Sequence, residues 1–178
     1  FDHFKGDTPQ SSDVQQYRDS DGRVRVINDD MKTVQMKLED RLYGGQKFRQ
    51  GEGKGSARIV SIQRTKKGFK LQLMARHFFS SGETKVRQEA RRELDSVVQI
   101  LTELERPVTI EGHTDSIQPL GKYTNWELSS LRATNVLRYM VRKHAFPMTS
   151  LSVAGYADTK PIAHNGTESG RNLNRRIE

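Results

Sequence analysis

Apolar and polar residues mix in two short strand-like runs, ARIVSIQR (57–64) and GFKLQLMA (68–75), the second alternating through Phe69, Leu71 and Leu73. A two-residue period marks strands with one buried face. Thr65-Lys66-Lys67-Gly68 between them reads as the turn of a hairpin. The period then lengthens. Val86, Ala90, Leu94, Val97, Val98, Leu101 and Leu104 share one side of a helix. Ser80 and Glu83 fit a capping box at its start, and Pro107 marks its stop. PVTIEGH (107–113) is the next strand, with Val108 and Ile110 on one face. A second long helix starts near Thr124, where Thr124 and Glu127 again fit a capping box. Trp126, Ala133, Val136, Leu137, Met140 and Val141 make its core face. LSVAGYA (151–157) reads as a strand. A loop with Pro161, Asn165, Gly166 and Gly170 leads to a last strand at Arg176-Ile177. Strands separated by helices need crossover connections, so the expected class is α+β: a βαβαβ-type domain with two main helices on one face of a small mixed sheet.

Ahead of Ala57 the pattern weakens. Residues 1–28 are polar, with Pro9, Ser11, Ser12 and Gly22, and read as a tether. Met31, Val34, Leu38 and Leu42 recur at helical spacing behind Asp29 and Asp30, which predicts a helix over 29–43 ended by Gly44-Gly45. Its apolar stripe is narrow and calls for a partner surface. Gly51, Gly53 and Gly55 make a flexible joint. The expected division is a linker with a helix at 1–56 and a compact domain at 57–178.

Charge sharpens this division. Residues 1–56 hold ten Lys/Arg and ten Asp/Glu; residues 57–178 hold twenty and twelve, which accounts for the net charge of +8. A basic excess on the compact part suits either an anionic partner or a solubilising surface. There are no cysteines, so thiol chemistry and disulfides are excluded. No apolar run approaches the roughly 18 residues that span a bilayer.

The chemistry concentrates in IEGHTDSIQPLGKYTNWELSSLRATNV (110–136). Asp115 leaves a strand just before a helix that carries Asn125 and Arg132, two turns apart with about 20° of drift. The site offers a carboxylate, a guanidinium, an amide and helix-end N–H groups. That set suits a ligand bearing both an ammonium and a carboxylate. An Asp115–Arg132 salt bridge tying loop to helix fits the same spacing, and both readings remain open. His113 and Asp115 lack a second pair of ligands at metal spacing, so no metal is expected. There is no nucleophile elbow and no second acid for glycoside chemistry, so no catalytic residues and no cofactor are expected. Phe78-Phe79 is the only aromatic pair and lacks interleaved basic residues, which speaks against nucleic acid as a partner.

EGHTD (111–115), TNWELSSLRATNV (124–136) and GYADTKPIAHNGTESGRNLNRRIE (155–178) resemble the peptidoglycan-binding domain family of outer-membrane protein A and the flagellar stator protein, motility protein B. The resemblance covers about residues 69–178. NWELS before LRA, FFSSGETKVRQEARREL (78–94) and the Pro-containing loop between Asp115 and Asn125 look like the motility branch. The resemblance implies a non-enzymatic domain that binds the meso-diaminopimelate of peptidoglycan stem peptides. On this chain the family's ligand residues fall on Thr114, Asp115, Asn125, Leu128 and Arg132, with Arg175 or Arg176 also reaching the ligand, Arg175 being favoured. It further implies a homodimer, and the periplasmic portion of an inner-membrane-anchored stator whose missing transmembrane segment meets a motility protein A-type channel subunit. An outer-membrane or lipoprotein wall tether without motor function is the alternative.

Overall fold

A five-stranded mixed sheet carries the fold. The computed structural model describes residues 15–18, 24–27, 33, 34, 36, 37, 40, 41, 59–65 and 68–178. Strands β1 (Gln15–Arg18) and β2 (Val24–Ile27) form a separate antiparallel pair. β3 (Ile59–Thr65) and β4 (Gly68–Met74) make the expected hairpin, with Thr65 opposite Gly68. A single helical turn, Ala75–Phe78, follows. Helix α1 (Arg91–Leu104) leads to β5 (Val108–His113), and α2 (Asn125–His144) leads to β6 (Leu151–Gly155). Helix α3 (Glu168–Asn174) then delivers the chain to β7 (Arg176–Ile177). β5 and β6 are parallel, as a crossover through α2 requires; β7 inserts antiparallel between β4 and β5.

One core holds the layers together. Leu94, Val97, Val98 and Ile100 of α1 join Ala133, Val136 and Met140 of α2 over Leu73, Ile110 and Ile177 of the sheet. Phe78 and Phe79 close one end at 2% exposure each. Val34, from the segment read as linker, is buried in the same core. Beside it Arg41 and Lys37 pair with Glu103 of α1. The six described positions between 33 and 41 are helical, while Met31, Leu38 and Leu42 lie outside the described residues.

The chain departs from the sequence expectations in four places. Residues 15–18 and 24–27 pair as strands where a tether was expected. α1 begins at Arg91, after a short 3-10 turn at Gln88–Ala90, instead of at Ser80. Ser80 and Glu83 do close a turn (Glu83 N–H to Ser80 O, 3.0 Å), but Gly82 takes a positive φ of 68° and ends it. Helix α3 occupies the predicted loop, its start capped by Thr167, whose hydroxyl accepts from Gly170 N–H. Trp126, placed on the core face by spacing, is 53% exposed at the first turn of α2.

α2 itself follows its sequence signals. Thr124 Oγ1 accepts from Glu127 N–H, and Glu127 Oε2 accepts from Thr124 N–H at 2.7 Å. The helix ends on Ala145 in the left-handed region, at φ 49°. A Cβ is strained there, so Ala145→Gly should raise stability by about 0.5–1 kcal/mol, read as a higher urea midpoint at unchanged m.

Candidate functional site

The end of β5, the start of α2 and the stretch from α3 to β7 converge on Asp115. Its carboxylate is 4% exposed. Oδ1 accepts from Ile117 N–H at 3.0 Å, which folds the chain back after the strand. Oδ2 accepts from Arg175 Nη1 in a close ion pair. Arg175 also reaches Glu168 Oε1 (2.5 Å) and Asn172 Oδ1 (2.6 Å), so its guanidinium bridges α3 to the strand end. Asn125 donates from Nδ2 to the carbonyls of Asp115 and Ile117, both at 3.2 Å. Thr114 is held by its backbone N–H on Ala157 O at 2.8 Å, while its buried hydroxyl has no partner among the described residues.

Arg132 lies on the same helix stripe as Asn125 and is 5% exposed. Its partner is not Asp115. Nε donates to Glu83 O (2.8 Å) and Nη2 to Ser80 O (3.2 Å), and the guanidinium lies 5.1 Å from the Phe79 ring centre. Asn135 adds a bond from Nδ2 to Thr84 O. The segment that fails to join α1 thus supplies carbonyls to the polar side of α2. Burial lowers Arg132 to about 10; Arg175 adds to the fall and Asp115 opposes it, so the group stays charged at neutral pH.

The structure therefore brings Thr114, Asp115, Asn125 and Arg175 together, with Arg132 beside them. Leu128 is buried one turn along α2 from Asn125. Arg176 goes elsewhere. It faces the opposite side of the sheet, where Nε donates to Glu178 Oε1 (2.6 Å) and Nη2 to Lys160 O (3.1 Å). Adjacent strand residues point to opposite faces, so only one of two neighbouring arginines can turn to Asp115. Sequence reasoning missed the roles of Phe79, Glu168 and Asn172, and the Ser80 and Glu83 carbonyls. Asn174, the first residue of the terminal NRR motif, is fully buried; it accepts from Ile162 and Ala163 N–H and donates to Ala163 O and Asn165 Oδ1. The Thr167–Glu168 pair was the one available signal, a helix start hidden between two glycines.

His113 shares the Arg176 face. It is 1% exposed and stacks on Tyr156 with ring centres 5.3 Å apart. Burial lowers its pKa to about 4, with Arg176 adding to the fall and Glu178 opposing it. Burial alone would raise Glu178, but Lys70, Arg176 and Gln72 hold it down at about 2. An unfolded chain takes a proton at His113 near pH 6.5, whereas the folded chain does so only near 4. Stability should therefore be full above about pH 6.5 and fall as pH drops from there to 4, by on the order of 2–3 kcal/mol. Glu178 extends the loss from about pH 4.5 toward 2. Urea midpoints across this range in metal-free buffer check it, and His113→Asn should flatten the upper part of the slope.

A mixed sheet with two crossover helices and a buried, arginine-bridged carboxylate at a strand end defines this α+β domain. The chain belongs to the OmpA family, whose model matches residues 78–175. Among relatives, it is 36% identical over 121 residues to the Bacillus subtilis protein YtxE, covering 67% of this chain and 50% of that protein. It is 32% identical over 124 residues to Motility protein B of Bacillus subtilis, covering 67% and 47%. The chain thus spans about half the length of these relatives. The solved cell wall anchor of the T6SS from Pseudomonas aeruginosa superposes at TM-score 0.62 and 26% identity, over 67% of this chain and 84% of that one.

Proposed function

We propose that this domain is a non-catalytic cell-wall anchor of a flagellar stator. It binds peptidoglycan outside the cytoplasmic membrane, through the diaminopimelate of the stem peptide, and lets an ion-driven channel complex exert torque against the wall. The observation that carries this reading is a buried carboxylate and a buried guanidinium that lie side by side without pairing. Asp115 is answered by a half-exposed Arg175, and Arg132 spends Nε and Nη2 on carbonyls. A ligand with an ammonium and a carboxylate on one carbon matches both charges. Its ammonium takes Asp115, and its carboxylate takes Arg175, released from that pair, together with Arg132. Similarity to Motility protein B supports the stator role over a passive tether. The channel partner, the homodimer and the membrane anchor belong to this reading and are carried over from the resemblance to the motility branch. Thr114, Asp115, Asn125, Arg132 and Arg175 are the proposed contacts, and Leu128 supports them.

Trp126 is the only tryptophan and sits exposed beside Asn125. Its fluorescence should therefore report stem-peptide binding directly. A tripeptide containing meso-diaminopimelate should give a saturable change, and the same peptide with lysine in that position should not. Lysine keeps the side-chain ammonium but lacks the second carboxylate. Equal titrations with both peptides would remove the basis for a zwitterion pocket.

A further inference from the structure

On the side of the sheet opposite α1 and α2, β5 and β7 place a second constellation of side chains. Glu111 and Glu178 are directly opposed across the strands, each donating its backbone N–H to the other's carbonyl at 2.9 Å. Glu111 and His113 are two residues apart on β5, so they share a face. Gly112 and Ile177 between these positions point the other way, into the core and toward α2. One carboxylate oxygen from each glutamate and one ring nitrogen of His113 lie within 4.8 Å of one another. His113 Nε2 is 3.6 Å from Glu111 Oε2 and 3.7 Å from Glu178 Oε2.

Two facts separate this cluster from an ordinary charged strand pair. His113 is 1% exposed, yet neither ring nitrogen has a hydrogen-bond partner among the described residues. A buried imidazole left so is unfavourable, and buried polar groups of this kind are otherwise satisfied by a partner, a water or an ion. The spacing is also that of a coordination sphere. Ligands held at about 2.0–2.1 Å around a tetrahedral zinc ion lie roughly 3.3–3.5 Å apart. The two nitrogen–oxygen separations exceed this by only a few tenths of an ångström, within the reach of a side-chain adjustment.

We propose that Glu111, His113 and Glu178 form a site for a borderline divalent cation of the zinc type. One imidazole and two carboxylates match that ion's preferences, and they leave a fourth position for water. Magnesium and calcium, which ask for more oxygens and wider spheres, fit less well. Three cationic groups oppose the ion: Arg176, Lys160 and Lys70. Arg176 is locked to the other oxygen of Glu178 and to Lys160 O, so it serves as an outer partner that orients that carboxylate. Lys160 Nζ lies over the Tyr156 ring at 3.3 Å from its centre. Lys70 is the direct competitor, since its ammonium sits 2.6 Å from Glu178 Oε2. Its side chain is 37% exposed and can leave for solvent. The bound ion would clamp β5 to β7, the strands whose ends carry Asp115 and Arg175.

The test is titration of the full chain with zinc chloride by calorimetry, alongside Glu111→Gln and Lys70→Ala. One ion per chain is expected. Glu111→Gln should weaken binding at least about tenfold, and Lys70→Ala should tighten it about tenfold, because the ion no longer displaces a like charge. Among the described residues the Glu111 side chain makes no hydrogen bond, and it is partly exposed, so the fold should tolerate Gln. Independently of any variant, zinc should shift the imidazole nitrogen resonances of His113, and magnesium should not. No saturable binding to either the wild type or Lys70→Ala would overturn the proposal. So would binding that leaves the His113 resonances unmoved.

Discussion

Asp115→Asn should leave the protein in the supernatant when it is mixed with purified peptidoglycan sacculi, under conditions where the wild type pellets. The substitution is chosen because it isolates charge. Asn keeps an oxygen for Ile117 N–H, so the turn after β5 survives, but it no longer answers an ammonium. A charge-assisted bond lost inside a mostly buried site costs about 1.5–3 kcal/mol, or roughly 10- to 150-fold in affinity for a soluble stem peptide. On sacculi the deficit is compounded, because a crosslinked polymer is held by many such contacts at once. Arg175→Ala should behave differently. It frees Asp115 from its resident partner, so the ammonium gains access while the carboxylate loses one of two guanidiniums. A smaller loss in affinity is expected, together with a weaker dependence on salt. Arg132→Ala should be as severe as Asp115→Asn, and should also lower stability, since the Ser80 and Glu83 carbonyls lose their donors. If all three variants pellet like the wild type, the pocket is a structural knot and the basic surface holds the wall.

The parts of this site that were legible in the sequence are those set by local periodicity. The capping box at Thr124 fixes where α2 begins, and helical spacing then puts Asn125 and Arg132 on one stripe. The strand alternation through PVTIEGH fixes that Asp115 emerges at the strand's end. What spacing could not give is which charges meet. Asp115–Arg132 was an open reading, and the structure pairs Asp115 with Arg175, 60 residues away, because β7 inserts between β4 and β5. That insertion is a topological fact with no local signature. The start of α1 failed for a related reason. Ser80–Glu83 carries the letters of a capping box, but its carbonyls are claimed by side chains of α2, and tertiary bonding outranks local preference. The Trp126 error is one of helix phase. The face buried at the start of α2 is that of Asn125, Leu128 and Ser129, and Trp126 falls outside it.

Gly112→Ala should be the most damaging single methyl in the domain. A Cβ there would lie 2.0 Å from Ser129 O and 2.7 Å from Ser129 C, both backbone atoms of α2. No rotamer change relieves a backbone clash, so β5 and the helix must part by more than an ångström. Gly155 makes the same close approach on β6, where a Cβ would lie 2.7 Å from Ser130 N, so the helix cannot tilt away from one strand without closing on the other. Overpacking of this kind costs about 1–3 kcal/mol and more where the neighbours cannot yield. The upper end is expected here, with a fall in Tm of ten degrees or more for a domain this size. Gly121→Ala is the matched control. Its φ of 148° strains a Cβ, but nothing lies within 4 Å of one, so only the backbone cost should appear. The contrast also tests how the site is held. Asn125 and Arg132 ride on α2, and Asp115 rides on the end of β5, so the glycine contact sets the distance between the two halves of the pocket. A Gly112→Ala protein that remains folded at low temperature should therefore still bind stem peptide less tightly than Gly121→Ala, with every contact residue intact. Equal affinities in the two variants would mean that the pocket is assembled by its own ion pairs and not by the packing of helix on strand.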